Sequence, residues 1–140
     1  RGGNKNTEIL EKCGIEVKQK TSGRSPWGGL QNFTEDWVEC EYMLSTDESL
    51  IGGVQSTLCA VHGTIMIGSN NDGQRILFPD LVGTDVEDLL NKIEKLKKDS
   101  NYREEIKKYA YDKFIEKYSF EAVKNQIISL YNEIKEEKNG

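Results

Sequence analysis

Residues 42–69 read YMLSTDESLIGGVQSTLCAVHGTIMIGS, and the fold is decided there. Tyr42-Met43-Leu44 is a short apolar run with few polar breaks, as expected of a buried parallel strand. Ser45 to Ser49 is polar and turn-like. Val54, Leu58 and Val61 then recur at helical spacing, and Gly63 is placed to close that helix. Ile65-Met66-Ile67 makes a second apolar strand. Strand, polar loop, helix, strand is the βαβ rhythm, which predicts an α/β domain with a mainly parallel sheet.

Upstream, Ile9, Leu10 and Cys13 predict a short helix from Thr7 that stops at Gly14, followed by a strand over Ile15 to Lys18. Thr21 to Leu30 collects Ser, Gly and Pro as loops do and carries Trp27. Asn32 to Cys40 predicts a helix capped by Thr34 that buries Phe33, Trp37 and Val38. Downstream, Gly68 to Gly73 reads as a polar loop and Ile76-Leu77-Phe78 as a last short strand before Pro79. Val86, Leu89, Leu90, Ile93 and Leu96 predict a helix, with Thr84 and Glu87 as its capping box. A helix over Tyr102 to Tyr118 should bury Ile106, Tyr109, Ala110 and Phe114. A last one, capped by Ser119, carries Val123, Ile127, Leu130, Tyr131 and Ile134, with Lys135 to Gly140 fraying.

The chain has 140 residues, enough for one domain that buries roughly two-thirds of its unfolded surface. Charged residues make up 31 % and the net charge is -5, with acids and bases interleaved, which describes a solvated surface and argues against a nucleic-acid partner. Cys13, Cys40 and Cys59 are odd in number and widely spaced beside apolar residues, so they read as free thiols in a reducing compartment. Neither a membrane span nor a signal peptide is visible, which gives a cytoplasmic expectation, although such a domain can also work peripherally at a membrane face.

Ligands of open α/β sheets bind where strands run into helices, because backbone N–H groups and the helix dipole favour anions there. Three loops have suitable chemistry. Arg1-Gly2-Gly3-Asn4-Lys5 places two cations around two glycines, a composition suited to a diphosphate; a frayed basic terminus is the other reading. Asp47 to Gly53 follows the first apolar strand: Glu48 can accept hydrogen bonds from sugar hydroxyls, and Ile51-Gly52-Gly53 lets a phosphate or hexose lie against the main chain, unless the glycines merely shape a turn. Ser69 to Arg75 can add donors, acceptors and the Arg75 cation to the same crevice and reads equally as an ordinary turn. Trp27 can stack a nucleobase or pack on the surface. His62, the only histidine, stands at a helix end and reads as a capping cation more readily than as a catalyst. No Cys-X-X-Cys, second histidine, Walker motif or nucleophile elbow is present, so no metal or covalent-nucleophile chemistry is expected.

With these residues in order, the chain resembles the carboxy-terminal domain of retaining glycosyltransferases of the GT-B fold, the glycogen-synthase-like and sucrose-synthase-like group. The likeness is carried by Arg1 and Lys5, Leu44-Ser45, the Glu48 to Gly53 loop, the Val54 to His62 helix and Gly63-Thr64 leading into Ile65-Met66-Ile67-Gly68-Ser69. It ends in Tyr118-Ser119-Phe120-Glu121 and the late Leu130-Tyr131.

The resemblance implies a three-layer Rossmann-like half-domain that binds a UDP-, GDP- or ADP-hexose and needs no other cofactor. It implies that Arg1 and Lys5 hold the diphosphate, that Glu48 approaches the donor sugar, and that the amides of Ile51 to Gly53 meet its hydroxyls or phosphate. The family's second glutamate, which binds the ribose, falls at Ser56, with Gln55 beside it. It also implies that the acceptor, a glycan or another molecule, is held by an amino-terminal domain outside these residues, so that the isolated chain is inactive. A non-catalytic interaction module of the same fold remains the alternative. A flavodoxin-like or receiver-like domain fits less well, because paired acids at the end of a first strand are not found.

Overall fold

The computed structural model describes residues 9, 11–14, 40–45, 54–68, 70–83 and 85–140. The expected strand at Ile15 to Lys18, the Trp27 loop and the Asn32 to Cys40 helix, whose last residue Cys40 alone is described, otherwise lie outside them. Arg1, Lys5, Glu48 and Ile51-Gly52-Gly53 lie outside them too.

The expected βαβ unit forms. Strand β1 (Tyr42–Ser45) is followed by α1 (Val54–His62) and by β2 (Ile65–Gly68), which pairs with β1 in parallel, Tyr42 opposite Ile65 and Ser45 opposite Gly68. Every residue of β2 is buried, as an apolar run between two covered faces should be. Thr64 organises the entry to both strands: its N–H donates to Cys59 O at 3.0 Å and its hydroxyl to Cys40 O at 2.9 Å. Gly63, at φ +73, makes the left-handed turn out of α1. The face that α1 buries is Ser56, Cys59 and Ala60, whereas Val54 and Val61 are exposed. The small residues let the helix lie close on the sheet, and the two valines face outward.

Beyond β2 the chain departs from the sequence reading. Ile76 to Phe78 is no strand: Asp72–Leu77 forms helix α2, and a 3-10 turn follows over Pro79–Leu81. Asn71 caps α2, its Oδ1 accepting from Gln74 N–H at 2.9 Å, and Asp72 adds an acid to the first turn, where the dipole favours it. A third extended position comes at Val82, which bridges in parallel to Gly68. Among the described residues the sheet is therefore two parallel strands with one further bridge, set in a largely helical chain.

Helix α3 (Val86–Lys98) buries Leu89, Ile93 and Leu96 as expected. Its cap is Asp85, whose Oδ1 accepts from Asp88 N–H at 3.1 Å, one residue later than the Thr84 and Glu87 pair. Helix α4 (Ser100–Tyr118) starts at Asp99, which ends α3 and caps α4, and it buries Ile106 and Ala110; Phe114 is half-buried and Tyr109 exposed. Arg103 on α4 fastens three elements, donating to Leu96 O at 2.6 Å and Lys97 O at 3.1 Å and pairing with Glu41 at 3.4 Å. The open carbonyls at the end of α3 are thereby satisfied. Helix α5 (Phe120–Asn139) is capped by Ser119, as expected, and runs to the chain end without the expected fraying, Gly140 N–H bonding Glu136 O at 3.0 Å. It buries no residue.

The core joins β2 to Cys59 and Ala60, to Leu77, Phe78 and Leu81, and to the apolar faces of α3 and α4. The early helical turn joins it through Ile9 and Cys13, and Lys97 Nζ donates to Cys13 O at 2.6 Å. Gly14, at φ +64, ends that turn where expected. None of the described helices is long and apolar enough to cross a membrane.

Candidate functional site

The two parallel strands end side by side at Ser45 and Gly68, and each leads toward a helix, α1 and α2 respectively. Gly68 adopts φ +100, and a Cβ there would lie 2.0 Å from Ser45 O. Only glycine fits such an approach, so the two carboxyl ends close on each other by main chain alone. Asn70 and Asn71 continue the rim above β2.

Arg75 is one of the two described candidates for ligand binding. Its side chain folds back from α2 onto the rim: Nη1 donates to Asn70 O and to Asn70 Oδ1, both at 2.8 Å, and Nη2 pairs with the Asp72 carboxylate. The guanidinium is partly exposed, so the cation stands at the carboxyl end of β2, but its fork is already engaged. An anion arriving there would meet a charge that Asp72 has largely offset.

Ser56, the other, is fully buried on the sheet-facing side of α1, and its hydroxyl donates to Met66 Sδ at 3.3 Å. In this arrangement the hydroxyl looks into the domain. Cys59, one turn on, is likewise buried and donates to Met43 Sδ at 3.8 Å. Burial, with a smaller contribution from Cys40, pushes the Cys59 thiol far above its ordinary range, so it stays protonated and inert. All three cysteines are free. Among the described residues no cluster of His, Cys, Asp and Glu could hold a metal ion. His62 occupies the last turn of α1, where a capping cation was expected.

The sequence reading missed Gln74. It is fully buried on α2, and its Nε2 donates to Met66 O at 3.0 Å and to Phe78 O at 3.2 Å. Its Oε1 is buried without a hydrogen-bond partner. The signal was present, because Asn71-Asp72-Gly73-Gln74 has the spacing of a capping box. Gln74 locks the α2 start, and with it the rim, to the middle of β2.

A cavity of about 380 Å³ lies elsewhere, between the Leu77 to Leu81 turn and Tyr102, Glu105 and Tyr109 of α4. It shares no lining residue with the strand ends. Burial and then the Asp80 carboxylate push the Tyr102 hydroxyl up, and Lys95 Nζ stands 3.9 Å from the centre of that ring. This groove is an apolar, acid-rimmed cleft unlike a phosphate site. No family model, curated protein or solved structure matches the chain.

Proposed function

We propose that the chain is the donor-binding domain of a glycosyltransferase, a Rossmann-like half that holds a nucleotide-diphospho-sugar for hexosyl transfer to an acceptor carried by another domain. The observation that carries this reading is the βαβ unit itself: parallel strands whose carboxyl ends meet at Ser45 and Gly68, both running into helices. That is where open α/β sheets bind phosphorylated ligands. The order of residues around it, Leu44-Ser45, Glu48, Gly52-Gly53 and Gly63-Thr64, supports the same conclusion. Arg1 and Lys5 would neutralise the leaving diphosphate, Glu48 and the amides of Ile51 to Gly53 would orient the sugar, and Trp27 would lie against the base. A three-layer domain with a mainly parallel sheet belongs to this proposal.

A second reading, a non-catalytic module of the same fold, is favoured by Ser56. Where the family places a ribose-binding glutamate, this chain has a buried hydroxyl turned to Met66. Titration of Glu48→Ala and Lys5→Ala chains with the nucleotide sugar that binds the unaltered chain separates the two. At least tenfold weakening in both supports the donor site, and unchanged binding in both removes it.

A further inference from the structure

Tyr102, Glu105, Ile106 and Tyr109 recur at helical spacing and form one stripe along α4. That stripe faces the Leu77 to Leu81 turn across the cavity of about 380 Å³, a volume in the range of small-molecule sites. Leu77, Phe78, Leu81 and Ile106 are buried and give the cavity an apolar floor. The turn is fixed before anything enters. Phe78 N–H donates to Gln74 O at 2.8 Å, Leu81 N–H to Phe78 O at 3.1 Å, and Gln74 Nε2 to Phe78 O at 3.2 Å. A cleft held in this way costs a ligand little ordering.

The charge of the cleft has one sign. Asp80 and Glu105 line it, and no Lys, Arg or His does. Among the described residues neither carboxylate enters an ion pair. This sets Glu105 apart on its helix, where Glu104, Asp112 and Glu116 each hold a lysine three or four residues away. Lys108, three residues on from Glu105, pairs with Asp112 instead. The aromatic side of the cleft suits a cation as well. Lys95 Nζ stands 3.9 Å from the centre of the Tyr102 ring and Lys113 Nζ 5.9 Å from that of Tyr109, both within cation–π range. The two lysines reach these rings from outside the lining and leave both carboxylates without a partner.

We propose that this cleft binds an organic cation with an apolar body, of the arylalkylammonium class. The apolar part covers the floor, and the ammonium is drawn to Asp80 and Glu105 beside the tyrosine rings. Carboxylate and phosphate ligands are repelled by the same two acids. The inference does not rest on nucleotide-sugar binding.

Phenethylammonium is the probe, with 2-phenylethanol as its neutral counterpart of nearly the same shape. Followed by amide NMR of the 140-residue chain, the amine should give saturable shifts centred on Asp80, Leu81, Glu105 and Tyr109. The dissociation constant should be on the order of 1 mM, as a ligand of about nine non-hydrogen atoms reaches. Asp80 and Glu105 are exposed, so Asp80→Asn and Glu105→Gln should leave the fold unchanged. Each should weaken the amine about twofold and the two together about fivefold, the scale of exposed charge pairs, without changing the binding of 2-phenylethanol. The neutral alcohol should bind the unaltered chain about fivefold more weakly than the amine, for the same reason. Failure to saturate at about 20 mM, well above that dissociation constant, would overturn the proposal. So would equal binding of the alcohol, a double variant that binds the amine as tightly as the parent, or shifts spread along the acidic helices instead of centred on the cleft.

Discussion

Gln74 shows what one side chain does for the rim of the candidate site. Its amide satisfies two buried main-chain carbonyls, Met66 O and Phe78 O, which lose this donor if the side chain is cut back. Gln74→Ala should therefore cost about 2–3 kcal/mol, read as a lower urea midpoint with unchanged slope. Cys59 gives a second residue-scale prediction, through its titration. Burial raises the folded-state pKa above the ordinary value of 9.0, so the unfolded chain releases its proton first as the pH rises. The stability this thiol contributes is complete below that value and is lost progressively above it. Cys59→Ala should flatten the fall in thermal midpoint between pH 8 and 10; an equally steep fall in the variant would show that burial of the thiol does not shape this window.

Among the elements, those marked by an apolar run or repeat followed by a turn signal were legible in the sequence, and the one decided by side-chain anchoring was not. β1, α1 and β2 form where the alternation of apolar runs and glycines puts them, as do α3 and α4. Helix α2 was misread as strand because Ile76-Leu77-Phe78 is apolar on every residue, and three such residues carry no period. What decides for helix is the Asn71 cap and the Gln74 tether, neither of which an apolar pattern can report. The Val54 and Val61 exposure has the same root: α1 sits on the sheet through Ser56, Cys59 and Ala60, small residues that a hydrophobicity pattern undervalues. At the start of α3 the cap moved by one residue, from Thr84 to Asp85, with a measurable consequence. Asp85→Ala should destabilise the chain by about 1 kcal/mol, because Asp88 N–H loses its acceptor, while Thr84→Ala should change the denaturation midpoint by much less. Of the candidate site, composition singled out three loops, and only the one leading to Arg75 lies largely among the described residues. The engagement of Arg75 and the inward turn of Ser56 could not be read in this way, since both depend on which neighbour the fold brings to them.

For the whole molecule, three regions have separate roles in this account. The strand ends at Ser45 and Gly68 would offer main-chain groups to a ligand, the helical body of α3 and α4 holds those ends in place, and α5 stands outside the core with its apolar residues exposed. The central claim concerns the first of these, and calorimetric titration of the 140-residue chain with UDP, GDP, ADP and their hexose conjugates tests it most directly. The account predicts that one nucleotide sugar binds with a dissociation constant in the micromolar-to-millimolar range, about -8 to -4 kcal/mol, and more tightly than the other conjugates. Absence of heat from every nucleotide in the panel at millimolar concentration would contradict it.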